Sequence, residues 1–300
     1  MNGRITTGML QRNILADLQR STSQLSRTQA KLSSGKEITR PSDDPAGTAK
    51  ALSLRESLRG TQQHAKNVDD AITWTDATES ALSSMTDIVQ RARTLVVNGA
   101  SDGTDQTSRE AIAKEIDQLA ESLKEQANMR YAGRQLFSGT ATTTAPYDAG
   151  SDAYAGNTGQ MAREIGPGVS VNVNTTADTI LGSGQAAGDD KLLDTLRDIS
   201  DHLRAGDGAS LRGTDLDRID KGVESLLTAR ATNGALTNRL ESASSRLAAV
   251  EEMTVKSLSD TEDADLAKTM IDLTTQTSAY QAALKAGANI VQSSLMDFLR

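Results

Sequence analysis

Cysteine is absent from the 300-residue chain, which excludes disulfide staples, thiol nucleophiles and thiolate metal sites. Aromatic residues are scarce: one Trp, two Phe and four Tyr make up 2% of the sequence. The side chains that dominate enzyme cores and ligand pockets are therefore nearly missing. Histidine occurs twice, as His64 and His202, in separate helical segments with polar neighbours; both read as solvent-facing helix residues. There is no HExxH zinc motif, no GxxxxGK[ST] phosphate loop and no GxGxxG fingerprint. The adjacent carboxylates Asp43 and Asp44 precede Pro45 and read as a helix cap rather than a metal site. No catalytic, cofactor-binding or metal-binding residue is assigned, and an enzyme is not expected.

Positive charge in excess is lacking as well. The net charge is −8, which leaves no footprint for nucleic acid, and there are too few aromatics to stack bases. No apolar run approaches the length of a membrane span, and residues 1–30 lack the hydrophobic stretch of a secretory signal. From residues alone the expected location is the cytoplasm, unless export uses a route without a cleaved signal.

What is present is helical periodicity at both ends. Leu15, Leu18, Leu25 and Leu32 recur at steps of 3 and 7, and Leu266, Met270, Leu273, Tyr280, Leu284 and Val291 at steps of 3, 4 and 7. Leu295 and Phe298 extend the second stripe. Such a seam needs a partner helix to cover it. The first stripe is weak, with Thr22 and Gln29 at the alternating positions, and a helix like that is marginal in water. Residues 1–40 carry seven basic and two acidic side chains, residues 262–300 three basic and five acidic. The signs suit two ends that pack together or against other subunits. The chain reads as an assembly subunit.

Between the ends, a helix to Ser33 is stopped at Ser34-Gly35-Lys36. Arg40, Pro41, Asp43, Asp44 and Pro45 form a bend that caps a second helix running to Asn98. A third helix over about 105–130 folds back on the second as an antiparallel hairpin. Residues 139–188 hold nine of the 23 glycines, two of the four prolines and a single basic residue, Arg163. There Gly166-Pro167-Gly168 leads into alternating Val169, Val171 and Val173, the pattern of a half-buried strand; a long disordered loop is the alternative. A short helix from Lys191 to Gly206, a long one from about Thr214, a joint over 256–265 and a terminal helix complete the chain. The expected fold is mainly α: an elongated antiparallel helical bundle or coiled coil built from both chain ends, with a small β-rich domain inserted in the middle. The expected divisions are 1–44 and 257–300 for an inner helical domain, 45–136 and 190–256 for a helical rod, and 137–189 for the β-rich outer domain.

Two longer stretches, SSGKEITRPSDDPAG at 33–47 and ANMRYAGRQLFSGT at 127–140, resemble the bacterial flagellin superfamily. Within it the chain is more similar to the hook–filament junction branch. RITTGM at 4–9, the two prolines of RPSDDP at 40–45, GRQLFSGTATTTAPY at 133–147 and SLMDFLR at 294–300 carry that likeness. Gln135 departs from it, standing where an aromatic is usual. The resemblance implies a structural subunit of the flagellum that joins hook to filament through its terminal helices. It implies other copies of itself in a helical ring as partners, a neighbouring junction protein on the hook side and flagellin on the filament side. It further implies export, unfolded, through the flagellar type III apparatus with the help of a chaperone, to an extracellular location. Flagellin itself is the nearest alternative, and a soluble coiled-coil secretion or adhesion module a remoter one.

Overall fold

The computed structural model describes residues 7–148, 150–185 and 187–298, with side chains for 9, 12–148, 150–185 and 187–288. The helices are α1 (Thr7–Ser34), α2 (Pro45–Gly99), α3 (Gln106–Ala127), α4 (Leu192–Ala205), the single turn α5 (Gly208–Ser210), α6 (Leu216–Glu262) and α7 (Leu266–Phe298). Four short strands lie between α3 and α4: β1 (Arg130–Tyr131), β2 (Arg134–Gln135), β3 (Ala162–Gly166) and β4 (Val169–Asn172). The fold is mainly α, with a small β region inserted, as the sequence pattern predicts. Its contacts divide it into two units, Met1–Gly60 with Val250–Arg300, and Thr61–Ala249.

In the unit Thr61–Ala249, α2 buries Val68, Ala71, Thr75, Thr78, Leu82, Met85, Val89, Ala92 and Val96, an unbroken alternation of 3- and 4-residue steps. α6 answers with Ile219, Gly222, Leu226, Asn233, Leu240, Ala243 and Leu247. This is the seam of an antiparallel coiled coil. Its register is fixed by the buried Asn233, whose Nδ2 donates to the Thr75 carbonyl at 2.9 Å, and by the ion pairs Arg230–Glu79 at 2.8 Å and Arg93–Asp220 at 2.7 Å. Gly222 is required by proximity: a Cβ there would lie 2.2 Å from Cδ2 of Leu192. Leu192 is itself buried and has nowhere to swing. Gly222→Ala should therefore destabilise the unit, because overpacking of about 1–3 kcal/mol outweighs the gain of about 1 kcal/mol in helix propensity. Urea unfolding of the full chain measures it.

α3 starts at Asp105, whose carboxylate accepts from the Ser108 amide. It packs on α4, where Leu192, Leu196, Ile199 and Leu203 are buried. α4 ends at Gly206, in the left-handed conformation at φ +72. A π-helical turn, Leu211–Asp215, leads into α6. His202 is not the solvent-facing residue expected: its Nδ1 lies 2.8 Å from the carboxylate of fully buried Asp215. His64 is half-buried too, because the α2 face it occupies turns toward the core.

The glycine-rich insertion is folded. Gly168, at φ +69, closes the β3–β4 hairpin, and Val171 and Val173 are buried as the alternation predicts, while Val169 at the hairpin end is exposed. Large side chains supply the area that composition withheld: Phe137 and Tyr147 are fully buried, the Tyr147 hydroxyl donating to the Gly182 carbonyl. The β1–β2 hairpin turns on Ala132 and Gly133, both at positive φ. Tyr131 of β1 meets Trp74 of α2 edge to face, with ring centroids 6.2 Å apart.

Asp152 ties the insertion to the helices through Arg197 at 2.8 Å and Lys124 at 3.0 Å. The Arg197 guanidinium, aided by Lys124, holds the Asp152 carboxyl below its usual range despite its burial. A depressed folded-state pKa gives stability that is present above the ordinary carboxylate pKa of about 4 and lost as pH falls through the lower value. Asp152→Asn should therefore flatten the loss of thermal stability below about pH 4, measured by melting across that range.

In the other unit, α1 stops where expected, with Gly35 at φ +68 donating its amide to the Lys31 carbonyl. Asp44 caps α2, accepting from the Ala46 and Gly47 amides at 3.0 and 2.9 Å, with Pro45 in the first turn. Asp265 caps α7 by accepting from the Lys268 amide. The joint expected over 256–265 is shorter than its Ser and Asp content suggests. α6 stays helical through Glu262, with the Thr254 and Thr261 hydroxyls turned back onto the carbonyls four residues earlier.

Candidate assembly interface

α1 and α7 run antiparallel. A Cβ on Gly287 would lie 3.2 Å from Ile14 Cγ2, the Thr28 hydroxyl donates to Gln276 Oε1 at 2.9 Å, and the Ala264 amide donates to the Gly35 carbonyl at 2.9 Å. Positions turned toward the partner helix run Ile14, Leu18, Ser21, Leu25, Thr28 and Leu32 on α1 and Thr269, Leu273, Gln276, Tyr280, Ala283 and Gly287 on α7, with Ala16, Lys31 and Thr277 half-buried beside them. Both sets step by 4 and 3 without a break, a heptad seam in which half the places are small or polar.

Of the residues singled out in the sequence, the structure brings Leu18, Leu25, Leu32, Leu273 and Tyr280 to this seam, all half-buried. Leu15 and Met270 are 60% and 58% exposed, and Leu284 also faces outward. Val291, Leu295 and Phe298 lie outside the described side chains. Ile14, Ser21, Thr28, Thr269, Gln276, Ala283 and Gly287 are not among the residues singled out; steps of 4 and 3 taken from Leu18 along α1 and from Leu273 along α7 reach them. The outward-facing apolar residues of this unit are Met9, Leu15, Leu52, Met253, Val255, Leu266, Met270, Ile271 and Leu284. A shallow groove of about 510 Å³ runs along α1, lined by Leu15, Leu18, Gln19, Thr22 and Arg27, with Arg40 of the bend closing one side.

All five bend residues, Arg40, Pro41, Asp43, Asp44 and Pro45, are exposed. The bend is internally bonded: Asp43 Oδ2 accepts from the Thr39 hydroxyl and the Arg40 amide, each at 2.9 Å. The Thr39 hydroxyl, ahead of the backbone amides, holds the Asp43 carboxyl below its usual range. Lys36 bridges Glu262 at 2.7 Å and Asp263 at 2.6 Å, and these carboxylates, Asp263 first, raise its pKa.

Among the described residues there is no group of three or more His, Cys, Asp or Glu placed to hold a metal ion, and no helix long and apolar enough to cross a membrane. Gly99-Ala100-Ser101-Asp102-Gly103 spells GxSxG, but it lies on the helix-to-helix turn between α2 and α3, not on the strand-to-helix elbow that gives the pattern its chemistry.

Two family models match: the bacterial flagellin N-terminal helical region over residues 5–142 and its C-terminal helical region over residues 216–299. Together they take in α1, α2, α3, α6 and α7. The chain belongs to the flagellin family. As a flagellin-family protein it is a structural component of the flagellum, in a family whose members assemble with one another.

The flagellin of Bacillus subtilis is 29% identical over 306 residues, covering 99% of this chain and 100% of that one. Flagellar hook-associated protein 3 of Escherichia coli is 25% identical over 311 residues, covering 97% and 98%. Among solved structures, a putative flagellar hook-associated protein from Vibrio parahaemolyticus shares the fold with a TM-score of 0.67 at 24% identity, covering 74% of this chain and 100% of that one. Bacillus cereus FlgL follows at 0.59 and 20%, covering 69% and 99%.

Proposed function

We propose that this flagellin-family chain is the hook–filament junction subunit, joining the hook to the flagellin filament. The observation that carries this reading is the fold shared with solved hook-associated proteins over about 70% of the chain. The bend sequence RPSDDP at 40–45 supports it. There Pro45 opens α2 behind the Asp44 cap, a rigid start for a helix that must hold one direction. In this reading the partners are further copies of the chain, a second junction protein on the hook side and flagellin on the filament side. The exposed apolar residues around α1 and α7 are the surfaces that neighbouring subunits cover, and heterologous contacts between identical subunits generate a helical array. The chain reaches the cell exterior through the flagellar type III apparatus, with a chaperone guarding the C-terminal helix before export.

A second reading, flagellin itself, is favoured by the higher identity to the Bacillus subtilis protein. Adding the purified chain to isolated hooks that lack filaments, and imaging the hook ends, separates the two. A short collar that stops growing and then accepts flagellin is the expected result. Long filaments would establish the flagellin reading instead, and bare hooks would exclude both.

A further inference from the structure

Glu262, the last residue of α6, has a side chain only 6% exposed. A carboxylate that deep destabilises strongly unless its oxygens are paired. Oε1 accepts from Lys36 Nζ at 2.7 Å, and Oε2 is paired with the Arg55 guanidinium. These cations come from the α1–α2 bend and from α2, the first of them 226 residues away in sequence. Backbone bonds reinforce the meeting. The Glu37 amide donates to the Glu262 carbonyl at 2.7 Å and the Ala264 amide to the Gly35 carbonyl at 2.9 Å, pairing Lys36 with Asp263 in an antiparallel bridge. Lys36 Nζ also reaches Asp263 Oδ1 at 2.6 Å, and the other oxygen of that carboxylate, Oδ2, accepts from the Ser259 hydroxyl at 2.6 Å. The end of α1 and the start of α7 are thus fastened at one point.

We infer that Lys36, Arg55 and Glu262 form a clamp that couples the ordering of α1 to that of α7, so that the two end helices dock and release as a pair. Aligning two helices far apart in sequence carries a closure cost, and starting each helix carries a nucleation cost. The seam they share is thin, with Ser21, Thr28, Gln276, Ala283 and Gly287 among its members. Holding their near ends in register removes the search, and pairing then spreads outward from the clamp. Once Lys36 leaves, the buried carboxylate keeps only Arg55, and the bridge that anchors both helix ends loses its side-chain support. The coupling is independent of whether the chain serves at the junction or in the filament.

Hydrogen–deuterium exchange on the full chain tests it, comparing the parent with Lys36→Met, Lys36→Arg and Leu18→Ala. In the parent, protection should be highest over 25–34 and 269–276 and decline toward the far ends of both helices. Lys36→Met should speed exchange about tenfold or more across both α1 and α7, the partial exposure of Lys36 tempering the effect of a broken buried pair. Amides over 68–96 of α2 should keep the parental rates, which shows that the variant is folded, and Lys36→Arg should restore both helices. Leu18→Ala should loosen only the far turns. Faster exchange confined to residues 35–40, a response in one helix alone, or no change in either would overturn the coupling.

Discussion

Leu25→Asp should abolish incorporation into the flagellum while leaving the unit Thr61–Ala249 folded. Leu25 sits mid-seam on α1, half-buried toward α7 and one turn from the Thr28–Gln276 hydrogen bond. The substitution removes one of the few large apolar side chains there and introduces a carboxylate with no cation assigned to it. The cost of burying such a charge is several kcal/mol in a sealed core and less in this partly open seam. It need not be large, because the end helices have little stability to lose. The measurements are motility, hook-end imaging, and a urea melt of the rest of the chain, with Leu25→Met as the volume-conserving control that should assemble. Leu15→Asp makes a sharper companion. Leu15 is 60% exposed, so the carboxylate should leave α1–α7 pairing unchanged by exchange. Loss of assembly in that variant would mark Leu15 as a residue covered by a neighbouring subunit. Normal assembly of Leu25→Asp would remove the seam from any role in incorporation.

The largest single loss of stability is expected at Arg218. Its guanidinium on α6 holds Asp198 at 2.6 Å, Asp194 at 2.8 Å and Asp190 at 3.1 Å. Asp194 is buried, and burial together with the nearby Asp198 already pushes its carboxyl up. Arg218→Met keeps most of the stem packing but leaves Asp194 facing other carboxylates without a cation, at a cost of roughly 3–5 kcal/mol. A raised folded-state pKa means that this group favours folding below its ordinary value of about 4 and disfavours it as pH rises through the raised one. The deficit of Arg218→Met should accordingly be full at neutral pH and shrink as pH falls toward the carboxylate range. Adding Asp194→Asn should recover part of it at neutral pH. A deficit constant across pH would show that the loss came from packing alone.

Much of the fold was legible because its long helices advertise themselves. The 3- and 4-residue steps of α2 and α6, the Gly35 stop and the Asp44-Pro45 start each follow from local chemistry and appear in the structure as written in the sequence. The end-helix seam was only half legible. Attention goes to large apolar residues, and here Leu15, Met270 and Leu284 point outward while Ser21, Ala283 and Gly287 occupy the seam. A subunit meant to be covered by others carries two apolar stripes, and one sequence does not say which belongs to its own partner helix. The Lys36–Glu262 pair could not be read at all, since nothing local connects residues so far apart in the chain. The joint before α7 reads as longer than it is because Ser, Thr and Asp favour turns on average, whereas the Thr254 and Thr261 hydroxyls bond back to their own helix and only 263–265 leave it.

The chain has a single tryptophan, Trp74, and it is buried against Tyr131 inside the unit Thr61–Ala249. Indole emission therefore watches only that unit, and the helices α1 and α7 are dark to it. Circular dichroism sees every helix in the chain. A denaturant titration followed by both signals should separate into an early loss of ellipticity at constant emission and a later change in both. The gap between the two midpoints is a direct reading, without any label, of how much less stable the end helices are than the body that carries them.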